Sequence, residues 1–180
     1  MYIPNTSDEE SVFGVYIPLP APYESYIRHK KCSFGNNMAD MVLSHITLLP
    51  PARIKHSNAD LLLDDIYNIT KTYRPFWLIL NGVDNFLPVS NVSYLKVTVG
   101  SDECKFLHEN IFMSKAVCEN ARFPYHPHVT IADNLDSFHS NALENVFKDF
   151  SIAFICRKIY VDILDSKGNS KTINVFNLGN

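Results

Sequence analysis

The sequence predicts an α/β fold of the α+β kind, a β-α-β-α-β unit built twice into two lobes about a pseudo-two-fold axis. Two observations predict it. The order of apolar strand and helix patterns from residue 12 onward restarts near residue 94. Sliding the chain on itself by 83 positions also superposes His45 on His128 and Thr47 on Thr130. With 180 residues, 46% of them hydrophobic, the chain is the size of one domain with a sizeable core. A single domain, 1–180, is therefore expected, with lobe one over about 11–87 and lobe two over about 92–178.

Val12 to Leu19 predicts a strand ending at Pro18-Leu19-Pro20, and the polar-aromatic stretch from Tyr23 to Lys31 suits a helix. Ser33 to Asn37, with Gly35, predicts a loop. A second strand over Val42 to Leu49 is expected to stop at Pro50-Pro51, since proline donates nothing to a ladder. Leu62, Ile66, Ile69 and Tyr73 recur at helical spacing behind a Ser57-Asn58 cap, and Phe76 to Leu80 is a compact apolar strand.

The same order then restarts. Leu95 to Val99 predicts a strand, Ser101-Asp102 a cap, and the pattern behind it a helix to about Glu119. A strand over His128 to Ala132 follows, then a helix carrying Leu143, Val146, Phe147 and Phe150, and one long strand from Ile152 to Ile163. Thr172 to Leu178 closes the chain as a strand. The slide also sets Asn58-Ala59 on Asn141-Ala142 and Trp77 on Tyr160.

Composition excludes several classes of function. Cys32, Cys104, Cys118 and Cys156 are widely spaced with no metal-knuckle pattern, so buried free thiols are expected. The polar, acidic start has no leader-like h-region, and no apolar run is long enough to span a bilayer, so a cytoplasmic location without membrane contact is expected. A formal charge of −3 argues against extensive binding to duplex nucleic acid, which needs a broad basic face. A small phosphate-bearing ligand or the end of an RNA remains compatible. Arg28-His29-Lys30-Lys31 is the one dense basic cluster, suited to a solvated helix end or to a phosphate-attracting loop.

The two His-x-Thr tetrads carry the chemistry. Side chains at i and i+2 of a strand share a face, so His45 and Thr47 look one way while Ile46 and Leu48 look the other, and the same holds for His128 and Thr130 beside Val129 and Ile131. Chance supplies well under one His-x-Thr match in a chain of this composition, and two occur in equivalent places. Two polar faces related by a two-fold axis would converge on one cleft. Phosphodiester cleavage needs a base for the attacking oxygen and an acid for the departing one, and a pair of imidazoles supplies both near neutrality. The threonine hydroxyls suit the non-bridging oxygens, where transition-state charge gathers.

Around the tetrads, Tyr125, His126 and Arg53 are candidate substrate contacts: the tyrosine, with Phe123, as a stacking face, the histidine beside His128, and the arginine as a phosphate cation. Lys55 and Arg122 are further cations near the tetrads. His126-Pro127-His128 resembles a metal arm, yet no His-x-x-x-His, His-x-Glu or Cys-x-x-Cys accompanies it, so no metal and no cofactor is expected. His29, His56, His108 and His139 lie in polar contexts and are expected at the surface.

His45-Ile46-Thr47-Leu48 and Pro127-His128-Val129-Thr130-Ile131-Ala132 resemble the paired signatures of the two-histidine phosphoesterases, most closely their 2′-5′ RNA ligase-like branch, also described as RNA 2′,3′-cyclic phosphodiesterases. Phe13 to Pro20 is similar to that branch's opening strand, and Phe86-Leu87-Pro88 to the segment leading into its second lobe. The resemblance implies an antiparallel sheet in each lobe flanking a central cleft. It implies metal-independent hydrolysis of the 2′,3′-cyclic phosphate of RNA ends or nucleotides to a 2′-phosphomonoester, with 2′-5′ ligation as the reverse reaction. It further implies His45 as proton donor, His128 as acceptor and the threonines as phosphate-oxygen donors.

The chain departs from the pattern at one point: many members place an arginine shortly after the second tetrad, where Asp133-Asn134 follows Ala132 here. The alternatives are therefore another cyclic or 2′-5′ linked oligonucleotide, or a nucleotide-binding module without turnover. The expected partner is a nucleotide or RNA end, and the expected state a monomer.

Overall fold

The computed structural model describes residues 3–34, 43–119, 121 and 123–179. The elements run β1 (Glu10–Pro18), α1 (Tyr23–Ser33), β2 (His45–Lys55), α2 (Ala59–Thr72), β3 (Phe76–Asn85), β4 (Val92–Val99), α3 (Ser101–Phe112), β5 (His128–Asp133), α4 (Ser137–Phe147), β6 (Ser151–Cys156), β7 (Lys158–Leu164) and β8 (Ser170–Asn177). Every strand pairing is antiparallel. One four-stranded sheet has the order β2-β1-β7-β8 and the other β5-β4-β3-β6, so β2 and β5 are edge strands in matching positions.

The two orders superpose term by term, β1 on β4, β2 on β5, β7 on β3, which is the expected pseudo-two-fold. The sheets nevertheless do not divide where lobes of 11–87 and 92–178 would place them. β3 of the first half lies in the second sheet between β4 and β6, while β7 and β8 return to the first. Each half thus lends strand surface to the other, and the buried residues of both sheets join in one continuous core. A repeat read along the chain reports which elements correspond, not which sheet each one joins.

Two expected strands change for stated reasons. β2 runs through Pro50-Pro51 to Lys55, because the prolines fall at a bulge: Leu49 faces Val15 and Ala52 faces Phe13, and the register shifts between them. On an edge strand a proline interrupts only one ladder, which makes such a bulge tolerable. The single strand expected over 152–163 is two, since the chain leaves one sheet after Cys156 and enters the other at Lys158. Arg157 at the crossing carries no turn signature.

The helices also adjust. α3 ends at Phe112 rather than near Glu119, and its N-cap is Gly100, not Ser101 or Asp102. Gly100 has φ 87°, and a Cβ there would stand 2.5 Å from the Trp77 carbonyl oxygen, so only glycine fits. The N-caps of α2 and α4 are Asn58 and Asp136, whereas Asn141 lies inside α4, so the Asn-Ala match has no structural counterpart. Asp136 accepts from the His139 amide, as an N-cap carboxylate should.

The alternation expected of the tetrads holds. Ile46, Leu48, Val129 and Ile131 are all fully buried, each worth about 1.5–3 kcal/mol of apolar burial. That burial fixes the register that turns His45, Thr47, His128 and Thr130 to the opposite face.

Candidate functional site

His45 and His128 are each the first residue of an edge strand, and those two strands, β2 and β5, lie in contact. Each imidazole is half-buried. His45 Nδ1 lies 2.6 Å from the Leu43 carbonyl oxygen and His128 Nδ1 lies 2.7 Å from that of His126. A carbonyl only accepts, so both Nδ1 atoms carry hydrogen and both neutral rings present a bare Nε2. On His45 that Nε2 stands 3.1 Å from Thr47 Oγ1, which donates to it. Two residues back from each histidine, the same backbone oxygen fixes the same tautomer.

Burial is the largest influence on both rings and lowers both pKa values below the usual histidine range. Around His45, Lys31 and His128 push the same way while Asp162 opposes them. Around His128, His126 is a further lowering influence. The pair is thus uncharged more often than free imidazole, and the carboxylate stands on the His45 side.

The neighbours of the tetrads correspond and then diverge. Tyr16 faces Thr47 across the β1–β2 ladder and Tyr94 faces Thr130 across β4–β5. Their rings lie 5.0 Å from His45 and 5.2 Å from His128, between centroids. Sequence reasoning missed this pair because 78 positions separate the tyrosines and 83 the histidines; allowing a gap before the tetrads would have aligned them. Beyond the tyrosines the symmetry ends. Tyr16 donates its hydroxyl hydrogen to Asp162 Oδ1 at 3.1 Å, whereas Tyr94 stacks on Phe86 at 4.3 Å, and Phe86 meets the His128 ring edge-on at 5.0 Å.

The expected substrate contacts fall out differently from one another. His126 is exposed and packs its ring against Tyr94 and Phe86, beside His128. Tyr125 is committed elsewhere: its hydroxyl donates to the Thr47 carbonyl at 2.8 Å and its ring stacks on His108 at 3.9 Å. It braces the first tetrad. His108, expected at the surface, is buried, with Nδ1 donating to the Leu48 carbonyl at 2.6 Å. Arg53 lies eight residues along β2 from His45, about 25 Å at strand rise, and its Nε donates to Glu119 Oε1 at 2.9 Å. A guanidinium there cannot meet a phosphate held at the tetrads. Lys55 is exposed beyond it, Phe123 is also exposed, and Arg122 lies outside the described residues.

A cation the sequence left undecided comes closer. Lys31, in the last turn of α1, is buried beside Glu24 and Asp133 and near enough to His45 to depress its pKa. Asp133, the departure after the second tetrad, therefore has a lysine near it to offset its charge. Among the described residues, no cluster of three or more His, Cys, Asp or Glu side chains could hold a metal ion. Cys104 and Cys156 are buried, Cys32 is half-buried, and Cys118, against expectation, is exposed. No helix is long and apolar enough to cross a membrane.

The profile of the 2′-5′ RNA ligase superfamily matches residues 18–166, most of the chain and both tetrads. The chain belongs to the 2′-5′ RNA ligase superfamily. Its membership places it among the two-histidine phosphoesterases. A provisionally named phosphoesterase of Staphylococcus epidermidis is 22% identical over 153 residues, covering 85% of this chain and 87% of its own. One from Halalkalibacterium halodurans is 30% identical over 95 residues, 53% of this chain and 54% of its own. Among solved structures, E. coli LigT complexed with 3′-AMP superposes with a TM-score of 0.70 at 17% identity, over 96% of this chain and all of LigT. TT0787 of Thermus thermophilus gives 0.62 at 13% identity, over 93% and 98%. At those identities the likeness is one of fold, and the superfamily's two antiparallel sheets are the ones described above.

Proposed function

We propose that the chain hydrolyses the 2′,3′-cyclic phosphate of an RNA end or a nucleotide to a 2′-phosphomonoester, with His45 and His128 as general acid and base. The observation that supports this most is the matched tethering of the two rings, each Nδ1–H on the carbonyl two residues back, which leaves each Nε2 free of the backbone tie. A water gives its proton to His128 Nε2 as its oxygen bonds to phosphorus. The bond from phosphorus to O3′ breaks, and His45 Nε2–H delivers the proton that makes O3′ a hydroxyl. Thr47 and Thr130 donate to the non-bridging oxygens, the Thr47 hydroxyl turning from His45 to the phosphate. Asp162 on the His45 side favours the imidazolium form of that ring, which supports its role as the acid.

Structures of LigT with 3′-AMP, ATP and NADP+ support a nucleotide as the ligand class. The reaction is tested by incubating the purified chain, in excess EDTA, with 2′,3′-cyclic nucleotides and with RNA ending in a 2′,3′-cyclic phosphate, and reading products by phosphorus NMR. A 2′-phosphomonoester is expected. A 3′-phosphomonoester, or turnover only after metal is added, overturns the reaction as written.

A further inference from the structure

The sheet of β1, β2, β7 and β8 holds a cavity of about 260 Å³ whose wall includes His45 and Thr47. Pockets for drug-sized ligands run from about 300 to 1,000 Å³, so this one has room for a nucleoside and not for an oligomer. Val15, Leu49 and Leu164 give it apolar walls, and Tyr16, Asp162, Ser170 and Thr172 are its polar lining besides the tetrad. Asp162 is 4% exposed. Its Oδ1 accepts from Tyr16 at 3.1 Å, and its Oδ2 can accept a further hydrogen bond.

A buried carboxylate is costly unless its oxygens are hydrogen-bonded, and a ligand that brings a donor to Oδ2 relieves that cost. A carboxylate only accepts. Cytosine offers an exocyclic amino group where the otherwise isosteric uracil offers a carbonyl oxygen, and adenine and guanine carry amino groups as well. Beside Oδ2 the amino group is welcome and the carbonyl is repelled. The cavity begins at His45 and Thr47, so a nucleotide whose phosphate sits on the tetrads can lay its own base into it. On the His128 side, where Phe86 and Tyr94 stack, the carboxylate near the tyrosine is Asp84, which is exposed rather than buried.

We propose that this cavity receives the base of the substrate nucleotide and that Asp162 selects bases bearing an exocyclic amino group. The inference rests on the cyclic phosphodiesterase reading for its substrate, and it names the specificity of that same site. Asp162 is then a specificity residue, with Tyr16 positioning its carboxylate.

The test compares kcat/KM for 2′,3′-cyclic CMP and 2′,3′-cyclic UMP on the full chain. These differ only at position 4 and the adjoining ring nitrogen, so any disturbance of His45 acts on both and cancels from the ratio. Wild type is expected to favour the cytidine substrate by about tenfold or more, the scale of a hydrogen bond to a charged group. Asp162→Asn, whose amide offers either a donor or an acceptor, is expected to bring the ratio near one. A wild-type ratio near one, or an unchanged ratio in the variant, overturns the proposal, and the wild-type comparison decides even if the variant fails to fold.

A second arm needs no turnover: 2′-CMP and 2′-UMP are titrated onto wild type and variant by calorimetry. Preferential cytidine binding without hydrolysis of either cyclic substrate keeps the base pocket and discards the reaction. Equal hydrolysis of both keeps the reaction and discards the base pocket.

Discussion

Tyr125 donates its hydroxyl hydrogen to the Thr47 carbonyl at 2.8 Å, so the segment leading into one tetrad is tied to the backbone of the other. The tie crosses the pseudo-two-fold, and it is reinforced by His108, which stacks on Tyr125 and donates to the Leu48 carbonyl next in sequence. Burial raises the Tyr125 pKa, which keeps the hydroxyl protonated and donating. Tyr125→Phe leaves a shielded carbonyl without this partner, at a cost of about 1–3 kcal/mol in stability. Urea unfolding measures that loss, and a variant as stable as wild type would show that the tie does not brace the site.

The pH profile follows from the direction of the histidine shifts. Turnover needs one ring protonated and one neutral, a state most populated between the two pKa values of the free enzyme. Burial lowers both below 6.5, so kcat/KM should follow a bell with its maximum on the acid side of pH 6.5 and fall as pH rises and the acid loses its proton. A maximum above pH 7.5 would contradict this.

Thr47→Val and Thr130→Val remove the proposed donors to the phosphate oxygens while keeping β-branched shape on the strand. Each should lower kcat by about 10²–10³, the usual cost of one donor to a developing negative charge. Thr→Ser at either position should restore most of it, and equal losses in the serine and valine variants would assign the residues to packing instead.

Arg53→Ala is expected to leave kcat/KM within about twofold of wild type, since the arginine spends its charge on an exposed ion pair with Glu119. Lys31→Met should act at the site: removing a cation that depresses His45 should raise the pKa of that ring, read by NMR titration of its Cε1 proton. An unmoved His45 would place the lysine outside its electrostatic reach.

These two cations show how far the sequence could be read. Distance along the chain singled out Arg53, because it closely follows the first tetrad, and left Lys31 undecided between a solvated helix end and a phosphate-attracting loop, although a helix carries it back to the site from 14 residues before His45. The tetrads themselves were legible because a strand's two-residue period is written directly in alternation, with Ile46 and Leu48 buried and His45 and Thr47 turned away from them. The exchange of β3 and β7 between sheets was not, since Arg157 at the crossing looks like strand on both sides. Asp162 was invisible for a related reason: its neighbour in space is Tyr16, 146 residues earlier, and nothing local marks it.

The central claim is that His45 and His128 act as one unit on one phosphate, and the kinetics of His45→Ala, His128→Ala and the double variant on a 2′,3′-cyclic nucleotide test it most directly. Each single variant should lose about 10²–10⁴ in kcat, and the double variant should lose little more than the worse single, because an acid without its base is already disabled. Independent losses that multiply, or a single variant that retains wild-type turnover, would contradict it.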